Sequence, residues 1–228
     1  MEVPEDPGPL PDDATMETRE LYIVQAIELC KKVLHDQSQP KADRALAICW
    51  LAHLVADAHQ PCHAGSLYSP KAFPDGDRGA NLIPIKGQGD IRNLHAFWDS
   101  LLGAEATPES VEKRVENLKK SQKSLVVPLS GVELADSSRL KALEDALGSK
   151  GSEQKDQPPI AWIEEGRLLA DSFVYSADLR DQIQVVERGL LLNLSEWNPP
   201  ENLIEAAKRI AVGRSSIAAS RLALSLQD

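Results

Sequence analysis

The stretch HLVADAHQPCH, residues 53–63, places three histidines and an aspartate within eleven positions. It follows directly on ALAICWLA (45–52), an apolar run that favours a helix packed against other apolar groups. Burying a polar or charged side chain without a partner costs several kcal/mol, and the group usually neutralises instead. The chain must therefore fold so that these ionisable side chains reach hydrogen-bond partners, solvent or a metal ion.

Helical periodicity extends over most of the 228 residues and predicts an all-α fold class. Aromatic residues make up only 4% of the chain, so the core must consist mainly of Leu, Ile, Val and Ala. The predicted helices span residues 16–35, 42–59, 93–103, 108–120, 137–147, 161–175, 179–194 and 201–227. The helix over 42–59 is apolar on nearly every side, which is typical of a central buried element.

The domain organisation follows from composition. Residues 1–14 are acidic and proline-rich and are predicted to be extended, whereas residues 15–228 are predicted to form a single multi-helix domain with long loops. Residues 64–90 are rich in Gly, Pro and Asp and form the longest predicted loop, with a short strand over 82–85. A structureless loop of this length is usually functional or mobile.

The net charge of −10 argues against a nucleic-acid-binding protein that holds its ligand through a basic patch. It does not exclude an enzyme that contacts phosphate inside a metal-lined cleft, because bound cations make the local field positive. No apolar run approaches about 20 residues, so no membrane span is predicted, and no protein partner is predicted. The acidic start is typical of neither a signal peptide nor a transit peptide, which leaves the localisation open.

Two helices carry the same pair of potential metal ligands. His53 and Asp57 lie four residues apart and share one helix face, with about 6 Å of rise between them and Cβ atoms about 5–6 Å apart. His95 and Asp99 repeat this spacing on a second helix. His63 follows the first pair on a turn that Pro61 fixes. With metal–ligand bonds of about 2 Å, a pair such as His53 and Asp57 could hold one ion or two adjacent ions.

A single pair of this kind fits structural hydrogen bonding better than it fits a metal site. Two pairs together with His63 favour a metal site, and His and Asp ligands without a Cys-x-x-Cys spacing favour a catalytic site with an open position. His59 fits either a ligand or a residue that caps the last carbonyls of its helix. Trp50 and Trp98 fit a core or a pocket wall better than a stacking platform.

Three segments together resemble the S-one/P-one nuclease family of zinc-dependent, single-strand-specific nucleases, whose superfamily also contains the zinc phospholipases C. These segments are HLVADAHQPCH, GDRGAN (76–81) and NLHAFWDSLLG (93–103). The family pattern is matched at His53, Asp57, Gln60, Pro61, His63, Gly79, Asn81, Asn93, Leu94, His95, Trp98 and Asp99. Cys62 replaces a family Leu and Ala80 replaces a family Gly. The match begins near residue 17 and covers most of the chain.

The resemblance implies a mostly helical fold around as many as three zinc ions. One ion would be held by His63, His95 and Asp99. A second would use His53 and Asp57 with an Asp and a His from an earlier segment, and a third would share Asp57 and use an N-terminal Trp with a nearby His. No Trp precedes residue 50 and no His precedes residue 35, so the first site alone is expected to be complete.

The resemblance also implies the reaction. The expected function is hydrolysis of single-stranded RNA and DNA to 5′-nucleotides by metal-activated water, with no catalytic residues beyond the metal ligands. Asn81 is expected to contact substrate, although a turn residue after Gly79 fits nearly as well. Single-stranded nucleic acid or nucleotides are the expected partners, and family members are usually secreted or periplasmic. The alternatives are a non-catalytic helical zinc-binding protein, possible because the N-terminal ligands are missing, and a phospholipase C-like phosphoesterase.

Overall fold

A computed structural model describes residues 7–103, 107–121, 143, 146 and 157–227. Over these residues the chain forms seven α-helices and no strand, which confirms the predicted all-α fold class. The helices are α1 (Ile23–His35), α2 (Lys41–Asp57), α3 (Leu94–Ser100), α4 (Pro108–Ser121), α5 (Pro159–Leu169), α6 (Ala177–Glu187) and α7 (Glu201–Ser225). Within this part of the chain, no helix is both long and apolar enough to cross a bilayer.

Two apolar clusters form the core, and the short 3-10 turn Pro61–Ala64 lies between them. The first cluster gathers residues from the loop after this turn, α3, the π-helical turn Ala170–Val174, α6 and α7. The second joins α1 and α2 to Trp162 of α5 and Ala218 of α7. A Cβ atom on Gly166 of α5 would lie 2.8 Å from the Ala64 Cβ, so this glycine allows α5 to pack directly against the turn.

The helix over 42–59 was predicted to be buried on nearly every side. This prediction is wrong, because one of its faces is exposed to solvent. Its bounds agree closely with α2, but its buried residues are Ala47, Leu51 and Val55, a stripe with a spacing of four residues. On the opposite side, Leu46 is 45% exposed and Trp50 is 48% exposed. Apolar composition does not decide which face the rest of the chain covers.

Three other local predictions differ from the structure. Helix α1 begins at Ile23 instead of residue 16, and the Gln25 amide ties the preceding segment down by donating to the carbonyls of Pro7 and Pro9. Residues 82–85 form isolated bridges instead of a strand, because Pro84 pairs with Asn93 and Ile85 with Trp197 one residue at a time.

Helix α6 ends at Glu187 instead of residue 194, and the chain leaves it through Gly189, whose φ is +74°. Leu192 beyond it is 95% exposed. The apolar run after Gly189 therefore does not continue the helix. The helix predicted over 137–147 lies outside the described residues except for Leu143 and Ala146, which are helical and buried.

A buried ionic network joins α5 and α7 to the end of α2. Glu165 bonds Arg214 at 2.6 Å and Arg221 at 2.7 Å, and both arginines are almost wholly buried. Arg221 also donates to His59 Nε2 at 2.8 Å, while His59 Nδ1 donates to the Val55 carbonyl at 2.7 Å. Because both ring nitrogens are occupied inside the protein, His59 caps its helix and is not aimed at a metal site.

The charge state of His59 follows from these surroundings. Burial, reinforced by the positive charge of Arg214 and Arg221, lowers the pKa of His59 to about 2, although the bond to Val55 opposes this shift. The imidazole is therefore neutral, as it must be to accept a hydrogen bond from Arg221.

The network predicts that substituting Glu165 and substituting its neighbour Glu164 have very different effects on the free energy of unfolding. Glu165→Gln should lower the free energy of unfolding by about 3 kcal/mol, because two buried arginines lose their counter-charge. Glu164→Gln is the matched control, because Glu164 is 58% exposed and pairs with Arg167 at 3.8 Å. This substitution should lower the free energy of unfolding by less than about 1 kcal/mol. Urea unfolding of both variants measures the difference. Equal costs would contradict the proposed importance of the network.

Candidate metal centre

Three of the five predicted ligands converge on one point. His63 Nε2 lies 3.3 Å from His95 Nε2, and His95 Nε2 lies 3.5 Å from Asp99 Oδ2. The rings of His63 and His95 are stacked, with centroids 5.0 Å apart. One donor atom from each of these three residues lies within 4.8 Å of the other two. A turn after α2 supplies His63, and successive turns of α3 supply His95 and Asp99.

Two of the three separations between these donor atoms match those expected around a zinc ion. Ligands placed tetrahedrally about 2.0–2.1 Å from a zinc ion lie about 3.3–3.4 Å from one another. The two observed edges of 3.3 and 3.5 Å agree with this value. Two imidazole nitrogens this close would repel through their lone pairs unless a proton or a metal ion lay between them, and two imidazoles with a carboxylate are a donor set that suits zinc.

A backbone carbonyl fixes the orientation of His95. His95 Nδ1 donates to the Gly79 carbonyl oxygen at 2.7 Å, which leaves Nε2 unprotonated in the neutral ring and aimed at His63. Metal-binding histidines usually make such a bond through their second nitrogen, because it sets the tautomer and the ring orientation. This arrangement supports a role for His95 as a ligand through Nε2.

Gln60 orients the carboxylate in the same way. Its side-chain amide donates to Asp99 Oδ1 at 3.0 Å, while its carbonyl oxygen accepts from the Cys62 backbone N–H at the start of the turn that carries His63. Gln60 therefore links the positions of two ligands, and it leaves Asp99 Oδ2 directed towards His95.

The other predicted pair lies beside this group. His53 Nε2 is 3.3 Å from Asp57 Oδ2, and Asp57 Oδ1 is 3.7 Å from His63 Nδ1. Asp57 thus lies between His53 and His63. The five predicted ligands form one continuous arrangement, of which His63, His95 and Asp99 are the compact part.

The ligands are not buried together, although the helix that carries His53 and Asp57 was predicted to be a buried element. The His53 side chain is 62% exposed and that of Asp99 is 52% exposed, whereas His95 is 17% exposed. The centre therefore opens to solvent, so a buried carboxylate does not argue for a bound cation here. The argument for a cation is the convergence of the donor atoms.

The state of His63 favours metal binding. Burial is the main effect that lowers its pKa, and the neighbouring His95 lowers it further, while Asp57 opposes the shift. A neutral imidazole is the form that binds a metal ion, so His63 loses less free energy by shedding a proton on binding.

The loop that carries Gly79 has an unusual backbone. Gly79 has a φ of +61°, and its neighbours Arg78 and Ala80 also have positive φ values of 57° and 69°. A Cβ atom on Gly79 would lie 2.4 Å from the Cys62 carbonyl oxygen. The glycine is thus required for the close approach between this loop and the residue just before His63.

Two open cavities flank the centre. One, of about 570 Å³, is lined by His63 and His95 together with Tyr22 and Arg78. The other, of about 380 Å³, lies on the Asp57 and Asp99 side, between α2 and α7, and small apolar residues line much of it. Both could admit part of a ligand to the cluster.

Several positions that act at the centre were not assigned from sequence. Gln60 and Gly79 matched the family pattern without a stated role, and Arg78 stands in the GDRGAN segment beside them. Asn81 is exposed, and its side-chain amide donates to the Arg78 carbonyl at 2.9 Å, as a turn residue would. Substrate contact by Asn81 stays a prediction.

Comparison with known proteins agrees with the geometry. The sequence model described as S1/P1 Nuclease matches residues 5–227. Endonuclease 2 of Arabidopsis thaliana is 25% identical over 146 residues, which cover 61% of this chain and 46% of that protein. Endonuclease 4 of the same plant is 36% identical over 56 residues, which cover 25% of this chain and 16% of that protein. The chain thus spans less than half the length of these relatives.

The close approach of Gly79 predicts the outcome of two alanine substitutions. Gly89 has nearly the same φ, +62°, but nothing lies within 4 Å of its Cβ position. Gly89→Ala should therefore cost only the backbone strain, about 1–2 kcal/mol in the free energy of unfolding. Gly79→Ala should lower the free energy of unfolding by more than Gly89→Ala does, because the Cys62 carbonyl must move. The same movement should also weaken zinc binding.

Calorimetric titration with zinc and urea unfolding of both variants test this prediction. Similar zinc affinities for the Gly79→Ala and Gly89→Ala proteins would show that the contact with Cys62 does not shape the centre.

Proposed function

Because this chain belongs to the S1/P1 nuclease family, we propose that it is a zinc-dependent nuclease that hydrolyses single-stranded RNA and DNA to 5′-nucleotides. The observation that carries this proposal is the convergence of three nitrogen and oxygen donors, of which two separations, 3.3 and 3.5 Å, match the spacing of ligands around zinc. Endonucleases are among the relatives it resembles.

His63, His95 and Asp99 would hold one zinc ion. His53 and Asp57 would contribute to further ions, up to the three that the family resemblance implies, and these ions would need donors in addition to this pair. When bound, zinc supplies a Lewis acid that polarises a phosphoryl oxygen and makes water acidic enough to act as a nucleophile near neutral pH.

The protein groups around the ligands hold them in place for this reaction. The Gly79 carbonyl keeps the proton of His95 on Nδ1, and Gln60 keeps one Asp99 oxygen directed at the centre. Such bonds reduce how far the His95 and Asp99 side chains must reorient when a phosphodiester enters. The positive charge of bound ions would offset the chain's net negative charge where the phosphate lies.

Substrate would approach through the cavity of about 570 Å³. Tyr22 could stack on a base and Arg78 could bind a phosphate, and neither contact depends on base identity. Asn81 donates one N–H to Arg78, so its remaining N–H and its carbonyl oxygen are proposed to contact substrate. The preference for flexible single strands over a stiff duplex is what the family resemblance implies.

A non-catalytic zinc-binding protein is the second candidate. The observation that favours it is that the described residues complete a single compact three-donor group. A phospholipase C-like activity rests on the superfamily resemblance alone.

Removing one ligand tests the metal site itself. His95→Ala should weaken zinc binding at least about 100-fold, because loss of a direct ligand exceeds the effect of losing an outer partner. His35→Ala is the control, since His35 bonds the Ser225 carbonyl in another part of the fold. Zinc content after dialysis against a weak chelator measures both. Equal zinc content in the two variants would place the ion elsewhere.

Turnover separates the candidate functions. The zinc-loaded protein should release 5′-nucleotides from single-stranded RNA and DNA, should act more slowly on duplex DNA, and should lose activity with His95→Ala but not with His35→Ala. A parallel assay with phosphatidylcholine vesicles tests the phospholipase alternative. A protein that binds zinc at the predicted ligands but cleaves none of these substrates would favour the non-catalytic candidate.

A further inference from the structure

Asp77 is a buried carboxylate that the proposed reaction does not use. It is completely inaccessible to solvent, and one of its oxygens accepts three hydrogen bonds. The donors are Ser66 Oγ at 2.8 Å, the Leu67 backbone N–H at 2.9 Å and the Tyr175 hydroxyl at 3.1 Å. Among the described residues its other oxygen has no hydrogen-bond partner, so the position of a carboxyl group buried this deeply calls for a structural explanation.

The backbone of Asp77 closes the loop that contacts His95. Its N–H donates to the Leu67 carbonyl at 3.0 Å, and its carbonyl accepts from the Leu82 N–H at 3.1 Å. Gly79 lies within the segment between Asp77 and Leu82, and its carbonyl accepts a hydrogen bond from His95 Nδ1. The position of this carbonyl therefore depends on how firmly Asp77 is held.

The same carboxylate also holds the chain behind His63. Ser66 and Leu67 follow this ligand by three and four residues, and both donate to Asp77. Asp77 is thus bonded directly to the segment behind His63, and it reaches His95 through the loop that carries the Gly79 carbonyl.

Tyr175 connects Asp77 to the rest of the core. It follows the π-helical turn Ala170–Val174 and is wholly buried. Burial, reinforced by the Asp77 carboxylate, raises the pKa of Tyr175 far above its usual range, so the hydroxyl remains a donor at any physiological pH.

We propose that Asp77, anchored by Tyr175, is the positioning residue of the metal centre: it sets the Gly79 carbonyl that orients His95 and fixes the segment that carries His63. Its effect on the loop is independent of the proposed function, whereas its effect on zinc rests on that function.

The first test uses the zinc-free protein. Tyr175→Phe removes only the hydroxyl, and loss of a bond to a charged acceptor should speed hydrogen exchange of the Leu82 and His95 amides at least about tenfold. Hydrogen exchange of the Val55 amide, in α2, reports any general loss of stability. Ile27→Val is the control, because it destabilises the other core cluster without touching this loop. Exchange at Leu82 that is no faster than in the wild type overturns the proposal.

The second test measures zinc affinity by competition with a chromophoric chelator. Tyr175→Phe should weaken binding about tenfold, as loss of an outer partner usually does, whereas Ile27→Val should leave it unchanged. Faster loop exchange with unchanged zinc affinity also overturns the proposal, since the loop would then not govern the ligands. Failure of the wild type to bind zinc would contradict the proposed function alone, and the exchange result would still decide the role of Asp77 in the loop.

Discussion

The close contact between Gly79 and the Cys62 carbonyl is the constraint on which the rest of the centre depends. In this contact, a loop with three consecutive positive φ values packs against Cys62, the residue just before His63. The same loop places the Gly79 carbonyl oxygen 2.7 Å from His95 Nδ1. Left-handed backbone at Arg78 and Ala80 costs free energy and persists only where the surroundings fix it. Backbone hydrogen bonds fix this conformation. Asp77 donates to the Leu67 carbonyl and accepts from the Leu82 N–H, and the His95 N–H donates to the Ala80 carbonyl. The geometry of the ligands is therefore stabilised by a loop that contains none of them.

The histidines of residues 53–63 have two separate roles. His59 turns inward and completes a buried network with Arg221 and Glu165, which ties α5 and α7 to the end of α2. His53 and His63 lie on the other side, near solvent, where an ion and its substrate can reach them. The buried network requires a neutral histidine that accepts from arginine, whereas the proposed function assigns cation binding to the exposed histidines. The same residue type serves stability and chemistry because the turn after α2 directs successive side chains to different environments.

Much of this arrangement could be predicted from sequence, because it depends on local spacing. The four-residue spacing of His95 and Asp99 fixes their common face once α3 forms, and Gly103 and Pro108 mark helix limits close to those observed. The exposed face of α2 and the early end of α6 could not be predicted, since both depend on which distant segments pack nearby. The roles of Gly79 and Asp77 depend on contacts with residues 62–67 and with Tyr175, and no local pattern encodes those contacts.

X-ray absorption at the zinc edge of the zinc-loaded protein tests the central claim most directly, because it reports the atoms bound to the ion. We expect a first shell of nitrogen and oxygen at about 2.0–2.1 Å, with the outer scattering that imidazole rings produce and no sulfur. A sulfur neighbour at about 2.3 Å, which would implicate Cys62, or a spectrum without imidazole scattering would contradict a centre built from His63, His95 and Asp99.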